Sequence, residues 1–405
     1  MPDYRIPWRS PRAHAKIDRM NADIAAALAD PRTFPEPCDV PADIAALHRL
    51  AESSLAAHTG VQADALGRDL GAALSARLEG EGAGLAAVFR GVPSVAVARQ
   101  LWRTLDRAWR DASLAAGPGV AITTFAIPIV IVAGAEGGAA AGPLAGTLAA
   151  PEALAALLRE HGALAGNENF GLADALVGAD AIDVGRLPEI LAWQRLPDSA
   201  SAPMPARVLA PAPMPLAAGH ETVGLRFLVG TALARPGLDL LAGRTVGKWG
   251  VPFTRMLSQE LARHGASVLA MPRAPDWLLP AVLHGRLAQR EASAHVFVSN
   301  AVRKLRASVG EPTAVISAHR TPDAPHGGEI RLSLSSPFEP RDAEGFRCPL
   351  YLQDRVADVV AMLTDLLREC RVADVRVRSG VHADRDPGTG LVLLFKADSE
   401  ADSLH

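Results

Sequence analysis

The amino-acid sequence predicts an α+β protein: a helical N-terminal region followed by strand–helix–strand units that form a mainly antiparallel sheet with helices packed on one face. Apolar residues recur every three or four positions through about the first hundred residues, whereas short β-branched runs alternate with helical patterns after them. In addition, 49% of the 405 residues are hydrophobic. A chain of this size and composition is expected to build more than one core.

Four helices are expected in residues 1–116. The first follows Ser10, a good N-cap residue, and ends at Asp30. The second covers about 41–58, and the fourth starts near Pro93. The third and fourth helices each carry a one-sided apolar stripe that needs a packing partner. These stripes are Leu66, Leu70, Leu74 and Leu78 in the third helix, and Val95, Ala98, Trp102, Leu105 and Trp109 in the fourth.

Residues 120–138, VAITTFAIPIVIVAGAEGG, form the most apolar stretch of the chain. No charged residue occurs from Ala112 to Ala135, a length that would suffice for a membrane-spanning helix. However, Pro128 lies in the centre, β-branched residues dominate, and no basic anchors flank one side. The pattern therefore favours a buried strand, or two strands broken at Pro128, and predicts no membrane association.

The next segment, GAEGGAAAGPLAG at 134–146, is a candidate cofactor site because it is rich in glycine. Its glycines do not follow the G-x-G-x-x-G spacing of dinucleotide sites, and the charge of Glu136 would repel a phosphate. We therefore expect a loop and no bound cofactor.

Residues 197–215, PDSASAPMPARVLAPAPMP, are the best candidate for a linker, because proline, alanine and serine dominate and charge is scarce. Neither a helix nor a central strand can run through so many prolines. The predicted domains are therefore a helical region at 1–116, a first α/β unit at 117–196 and a C-terminal α+β domain at 216–405.

Strands and helices alternate within the C-terminal domain. Strands are expected at 224–235, 266–272, 313–320 and 328–336, with the last two paired. Helices are expected at 252–265, at about 280–309 with a break at Gly285, and at about 353–370. The segments ADVRVRSG (373–380) and GLVLLFKAD (390–398) are predicted to close the chain as a hairpin.

Three helix ends resemble one another: LLREHGALAG (157–166), LARHGASVLA (261–270) and LLRECRVADV (366–375). They recur about every 105 residues, and each turns directly into a short apolar segment. The recurrence indicates either an internal repeat of a strand–helix–strand unit or a chance coincidence among residue types that are frequent in this chain.

The order of AIPIVIVAGAEGGAAAGPL, LARHGASVLAMPRAPDWLL and LLRECRVADVRVRSGV resembles a group of proteobacterial proteins classed as a domain of unknown function. The resemblance covers residues from about 110 to the C-terminus. It implies a bacterial cytoplasmic protein, and it carries over neither an activity nor functional residues.

Charge and cysteine content narrow the functional classes. With 41 basic and 44 acidic residues, the net charge of −3 gives no global attraction to nucleic acid. Cys38, Cys348 and Cys370 form no C-x-x-C pair, and their odd number fits a reduced, cytoplasmic setting. The first residues also lack the apolar run of a secretory signal.

Two basic clusters are candidate nucleic-acid contacts. One is the ridge of Arg99, Arg103 and Arg107 on the fourth helix, which Asp106 and Asp111 interrupt. A solvated helix face explains this ridge better than a binding site. The other cluster is Arg303, Lys304 and Arg306, and nucleic acid is not an expected partner of either.

Two hairpin loops near the C-terminus gather side chains that could carry chemistry. If the two hairpins were neighbours in one sheet, their histidines and carboxylates could converge on a metal ion. The alternative is that Pro, Asp and Gly are ordinary turn residues. The candidate side chains are His319, Arg320, Asp323 and His326 in the first loop, and His382, Asp384 and Asp386 in the second.

Three other functional motifs are incomplete or absent in this sequence. GRTVGKWG at 243–250 lacks the glycine spacing and the hydroxyl residue of a phosphate-binding loop. The twelfth position of a calcium loop starting at Asp384 is Phe395, which cannot ligate calcium. There is no G-x-S-x-G nucleophile motif. The sequence assigns no catalytic, cofactor-binding or metal-binding residue.

The sequence thus favours a non-catalytic cytoplasmic protein, a regulatory or scaffolding module that binds a protein partner or forms a homo-oligomer. The alternative is a metal-dependent hydrolase-type enzyme that uses the loops at 319–326 and 382–386.

Overall fold

The computed structural model confirms an α+β fold with a helical N-terminal region and mainly antiparallel sheets. It describes residues 40–80, 82–89, 92–115, 121–133, 147–164, 170–179, 182, 184–196, 222–234, 245–308, 310–320, 328–336, 344–351 and 354–383. The helix predicted at 10–30, the glycine-rich segment at 134–146, the linker at 197–215 and the strand predicted at 390–398 lie outside these residues.

The helices are α1 (Ala42–Leu55), α2 (Gly60–Leu78), α3 (Gly82–Ala87), α4 (Val95–Leu114), α5 (Pro151–Glu160), α6 (Leu187–Gln194), α7 (Val246–Ala262), α8 (Leu278–Ser308) and α9 (Val356–Glu369). The strands are β1 (Ala121–Ala133), β2 (Phe170–Gly178), β3 (Thr222–Ala234), β4 (Ala266–Ala270), β5 (Asp276–Trp277), β6 (Thr313–Arg320), β7 (Gly328–Ser335), β8 (Glu344–Pro349) and β9 (Asp374–Ala383).

The described residues fall into two compact units. The first comprises those of Val40–Arg90 and Gln100–Ala292, and the second those of Gly91–Arg99 and Ser293–His405. This division differs from the domain boundary predicted at 197–215. The reason is strand pairing, because β1 and β3 lie on opposite sides of that segment along the chain and belong to one sheet.

The sheet of the first unit has the strand order β2-β3-β1-β4, and β5 also pairs with β1. β1 and β3 pair antiparallel over their whole lengths, from Ala121 opposite Ala234 to Ala133 opposite Thr222. The stretch that was long enough for a membrane span is therefore the central strand of a sheet. No helix in the part of the chain that the structure describes combines the length and the apolar composition needed to cross a bilayer.

Pro128 does not break β1, contrary to one of the two alternatives that the sequence left open. On the side away from β3, β5 pairs with Phe125 and Ala126, and β4 pairs from Val130 onward. Pro128 falls in the gap between these two partners. The N–H that proline lacks therefore costs no ladder hydrogen bond on that side.

Helices contact both faces of this first sheet. On one face, residues of α5 and α7, with Trp249 and Phe253 among them, form a core with Phe125 and Ile127 of β1. The other face meets α6, where the side-chain amide of Gln194 donates a hydrogen bond to the Thr124 hydroxyl, and the first half of α8.

The predicted break at Gly285 is wrong, because α8 is continuous from Leu278 to Ser308. Gly285 serves close packing instead. A Cβ atom there would lie 2.9 Å from Leu225 Cδ1 and 3.0 Å from Phe227 Cζ of β3. A glycine inside a helical pattern is compatible with such packing as well as with a break, and the sequence does not distinguish the two.

The second unit contains the sheet β8-β7-β6-β9. The predicted pairing of 313–320 with 328–336 is confirmed as the antiparallel pair β6–β7. α9 connects β8 to β9, which lies parallel to β6 on the other side. One face of this sheet packs its apolar residues, such as Ile316 and Leu332, against α8 and α9.

The three similar helix ends share a left-handed residue just past the helix: Gly162 after α5, Gly265 after α7 and Arg371 after α9. After α5 and α9 the chain also closes the same C-terminal hydrogen bonds, Ala163 N–H to the Leu158 carbonyl and Val372 N–H to the Leu367 carbonyl. The strands that follow differ in placement, since β2 and β4 pair antiparallel to their neighbours and β9 pairs parallel. Helix capping therefore accounts for the similar helix ends, and an internal repeat of a strand–helix–strand unit stays a prediction.

Candidate functional site

A groove in the first unit is lined by α1, α2 and α4 and encloses about 640 Å³. Local sequence sets its position. The hydroxyl of Thr59 accepts the Gln62 N–H at 3.2 Å and so caps the start of α2. Leu70, Leu74 and Leu78 of the predicted leucine stripe are fully buried and pack into the protein interior, whereas Leu66 is half-buried. We call this cavity the α2–α4 groove.

The floor of the α2–α4 groove consists of small residues. Ala63, Gly67, Gly71 and Ser75 line it and recur four positions apart on α2, so they share one helix face. A Cβ atom at Gly67 would meet nothing within 4 Å, and one at Gly71 would meet only Thr104 Cγ2, at 3.9 Å. Open space therefore lies directly above the backbone of α2.

Four charged side chains stand around the groove: Asp64 and Arg68 on α2, and Arg107 and Asp111 on α4. All four residues are exposed. Within the described part of the chain, none of them forms an ion pair or a side-chain hydrogen bond, in contrast to neighbouring charges such as Asp106, which pairs with Arg110. Two charges of each sign are therefore available to a binding partner.

Apolar side chains are also exposed at this face. Leu55, which lines the groove, is 48% exposed, and Val61, at the start of α2, is 81% exposed. Val61 lies one turn before Asp64 on the same helix face. Deeper in the groove, the Gln100 side-chain amide donates to the Ser54 hydroxyl at 3.3 Å and connects α4 to α1. The groove thus combines a small-residue floor, the exposed side chain of Leu55 and unpaired charges, and Val61 lies beside it at the start of α2.

A second cluster joins α4 to β5 and α8 in the same unit. Asp106 binds Arg110 at 2.8 Å, and the Arg110 guanidinium lies 5.7 Å from the centre of the Trp277 ring. Asp276 Oδ2 lies 3.9 Å from His284 Nδ1. Burial raises the pKa of the Asp106 carboxyl. The positive charge of Arg110 opposes this shift, and the negative charge of Asp276 adds a smaller increase.

His284 is shifted in the opposite direction. Burial lowers the pKa of its imidazole, the nearby Arg273 charge lowers it further, and Asp276 partly opposes both effects. These effects together favour the uncharged form of the ring. Shifted acids and bases occur in catalytic sites, but ion-pair clusters that stabilise a fold also produce them.

The second unit carries a polar cluster on the sheet face opposite its apolar core. The Ser317 hydroxyl and His319 Nε2 lie 2.9 Å apart. Glu329 Oε1 accepts hydrogen bonds from Arg331 Nε at 2.5 Å and from Arg347 Nε at 2.9 Å. Except for Arg347, these residues are buried, together with Thr313, Ser333 and Ser335.

The strands that carry the two histidine loops are neighbours, as the metal-site alternative requires. In the parallel β6–β9 pair, His319 lies opposite His382, and Arg320 lies at the end of β6. Asp323, His326, Asp384 and Asp386 lie outside the described residues. Among the residues that the structure does describe, no three His, Cys, Asp or Glu side chains are grouped so as to hold a metal ion.

The residues of the two basic clusters make different contacts. Arg99 donates to the Asp354 carbonyl oxygen at 3.3 Å, whereas Arg107 lines the groove and Arg103 is exposed. In the other cluster, Lys304 pairs with Glu344, Arg306 pairs with Glu311, and Arg303 donates to the Asn300 side chain. Carboxylates therefore already neutralise two of the three charges in the second cluster.

Two cysteines lie in the described residues, and no disulfide joins either of them there. Cys348 is buried in the apolar core of the second unit, and the Cys370 sulfur lies 4.0 Å from the Ser299 hydroxyl. Cys38 and His326 lie outside the described part of the chain.

Sequence reasoning missed the α2–α4 groove, although a signal was present. Each of Leu66, Leu70 and Leu74 is followed directly by a small residue. The leucine spacing predicts a face that needs a partner, and the small residues that follow the leucines form a parallel row on the same helix, which lines the groove.

Comparisons of this chain with protein-family models, with curated proteins and with solved structures found no match. The resemblance to a proteobacterial family therefore stays a prediction.

Proposed function

We propose that this chain is a non-catalytic protein that binds a partner, and that the α2–α4 groove is its docking surface. The observation that carries the proposal is the set of four exposed charges, each without an ion-pair partner among the described residues, around a floor of small residues. A regulatory or scaffolding role in a bacterial cytoplasm fits this proposal.

A helical segment is the kind of ligand that the groove fits best. Helices pack ridges of side chains into the grooves of a neighbour, and small residues at the contact let the two backbones approach closely. The open space above Gly67 and Gly71 permits such an approach. The exposed side chains of Leu55 and Val61 offer apolar contacts at the same face, as in other proteins that receive an amphipathic helix.

The charges around the groove would select the partner. Complementary charges at an interface rim steer the encounter and exclude wrong partners more than they add affinity. Asp64 and Arg68 on one wall and Arg107 and Asp111 on the other present both signs. A segment with both acidic and basic residues would satisfy all four.

Filling the groove should abolish partner binding. We expect Gly67→Leu to lose binding, because its side chain would occupy the space that an incoming helix needs. The measurement is quantitative affinity capture from the source cells, compared between the tagged wild-type chain and the variant. A matched control is Gly247→Leu on α7, where a Cβ also meets nothing within 4 Å but lies outside the groove.

The proposal requires a protein that the wild type and Gly247→Leu capture equally and Gly67→Leu does not. Thermal unfolding of both variants shows whether the fold is intact. Equal capture by folded wild type, Gly67→Leu and Gly247→Leu would contradict the groove as the docking surface.

A second function, a metal-dependent hydrolase-type enzyme, has one observation in its favour. His319 and His382 lie opposite each other on adjacent strands, so the loops that follow both strands start from the same edge of the sheet. Histidines and carboxylates gathered at one edge would suit a zinc or iron site.

Metal content separates the two functions. Because turn chemistry explains the Asp, Pro and Gly residues of the loops, we expect the purified protein to hold less than about one-tenth equivalent of zinc, manganese or iron. Elemental analysis of protein purified without chelators measures this. A stoichiometric metal that is lost in both His326→Ala and His382→Ala would replace the first proposal with the enzyme.

A further inference from the structure

We propose that the occupant of the α2–α4 groove is a second copy of this chain, so that α2 pairs antiparallel with α2 of the partner subunit across a two-fold axis. This inference rests on the proposed docking function of the groove and names the partner. It follows from the order of residues along the exposed face of α2.

The exposed face of α2 carries Val61, Asp64 and Arg68, spaced by three and four positions, with Gly71 one turn further on. Asp64 and Arg68 carry opposite charges, and neither has an ion-pair partner within the described residues. Val61 and Gly71 are complementary in shape, because the Val61 side chain protrudes from the helix and the space above Gly71 is open.

When two identical helices pack antiparallel, this order of residues makes the face of one copy complementary to the face of the other. If the two-fold axis crosses α2 at position 66, position 64 faces position 68 of the other helix, and position 61 faces position 71. Asp64 of each copy then meets Arg68 of the partner subunit, which forms two identical ion pairs. Val61 of each copy lies over Gly71 of the partner subunit, which has no side chain to exclude it.

Two-fold contacts of this kind close on themselves, because the same patch is used twice. One contact set therefore satisfies Asp64 and Arg68 and covers the most exposed of the large apolar side chains in the described residues, Val61. A heterologous partner would have to supply a matching apolar side chain and both charges. A second copy supplies them in the required order when the two-fold axis lies at position 66.

The test is a charge exchange in the full-length chain. Sedimentation over a range of protein concentrations gives the dimer dissociation constant for wild type, Asp64→Arg, Arg68→Asp and the double variant. Each single variant places like charges opposite each other, so we expect the dimer to weaken at least about tenfold. The double variant restores opposite charges and should recover most of the wild-type affinity. Arg255→Asp, an exposed site on α7 outside the groove, is the control and should leave dimerisation unchanged.

Two outcomes would overturn this inference. In the first, the wild-type chain is monomeric at all concentrations. In the second, the wild type dimerises, but the double variant dimerises no more tightly than either single variant. If Gly67→Leu still abolishes capture of another protein in the first case, the docking function stands and only its occupant is wrong. If Gly67→Leu changes neither dimerisation nor capture, the docking function fails as well.

Discussion

Replacing Glu329 by Gln should lower the free energy of unfolding by about 3 kcal/mol, because the buried Arg331 then loses the carboxylate with which it forms an ion pair. The side chains of Arg331 and Glu329 are 1% and 5% exposed, and their atoms lie 2.5 Å apart. Removal of one member of a buried ion pair leaves the other charge in a medium that solvates it poorly. Arg347, which also binds Glu329, loses the same partner.

Chemical denaturation of the purified variant, followed by circular dichroism, measures the effect. Glu311→Gln is the matched control, since Glu311 makes two hydrogen bonds to Arg306 Nε but is 70% exposed. A solvent-exposed pair contributes little, so this control should change stability by less than about 1 kcal/mol. Equal effects of the two substitutions would show that burial of the Glu329–Arg331 pair does not matter for stability.

Gly230→Ala should destabilise the first unit by more than about 2 kcal/mol, although it adds only one methyl group. The new Cβ atom would lie 2.7 Å from both the Gly171 carbonyl oxygen and Phe125 Cε1. Gly230 faces Phe125 across the β1–β3 pair, and the Phe125 ring lies over it. Both the Phe125 ring and the backbone of β2 at Gly171 must therefore shift to make room for the methyl group.

The control for this variant is Gly171→Ala on the neighbouring strand β2. A Cβ atom there would meet only the Thr231 hydroxyl oxygen, at 4.0 Å. We expect this control to keep close to wild-type stability in the same denaturation experiment. If Gly230→Ala is as stable as Gly171→Ala, the close approach of Phe125 to β3 does not constrain this position.

Local patterns predicted most of the described secondary structure correctly. The leucine spacing of α2, the β-branched run of β1 and the alternating pattern of β6 and β7 each depend on residues close together in the sequence. Helix ends could also be predicted from the sequence. The left-handed turns after α5 and α7 use a glycine, and their hydrogen bonds join residues only a few positions apart. These features are set by short-range geometry.

Glycine and proline inside the elements were harder to interpret. Pro128 is tolerated because the partner strand is missing on one side, and Gly285 is required because β3 approaches α8. Both roles depend on elements that are adjacent in the fold and distant in the sequence. The same is true of Gly67 and Gly71. The row of small residues that contains them can be recognised in the sequence, but the open groove beside it depends on where α4 packs.

By itself, the sequence determined the α+β class, most helices and strands, and the leucine face that α2 buries, since backbone propensity and side-chain periodicity act over a few residues. Only the tertiary structure decided that β1 and β3 share a sheet across residues 197–215, that His319 and His382 lie side by side, and that the polar face of β6 and β7 is buried. Strand pairing and burial depend on contacts between residues far apart in the chain, which local patterns do not encode.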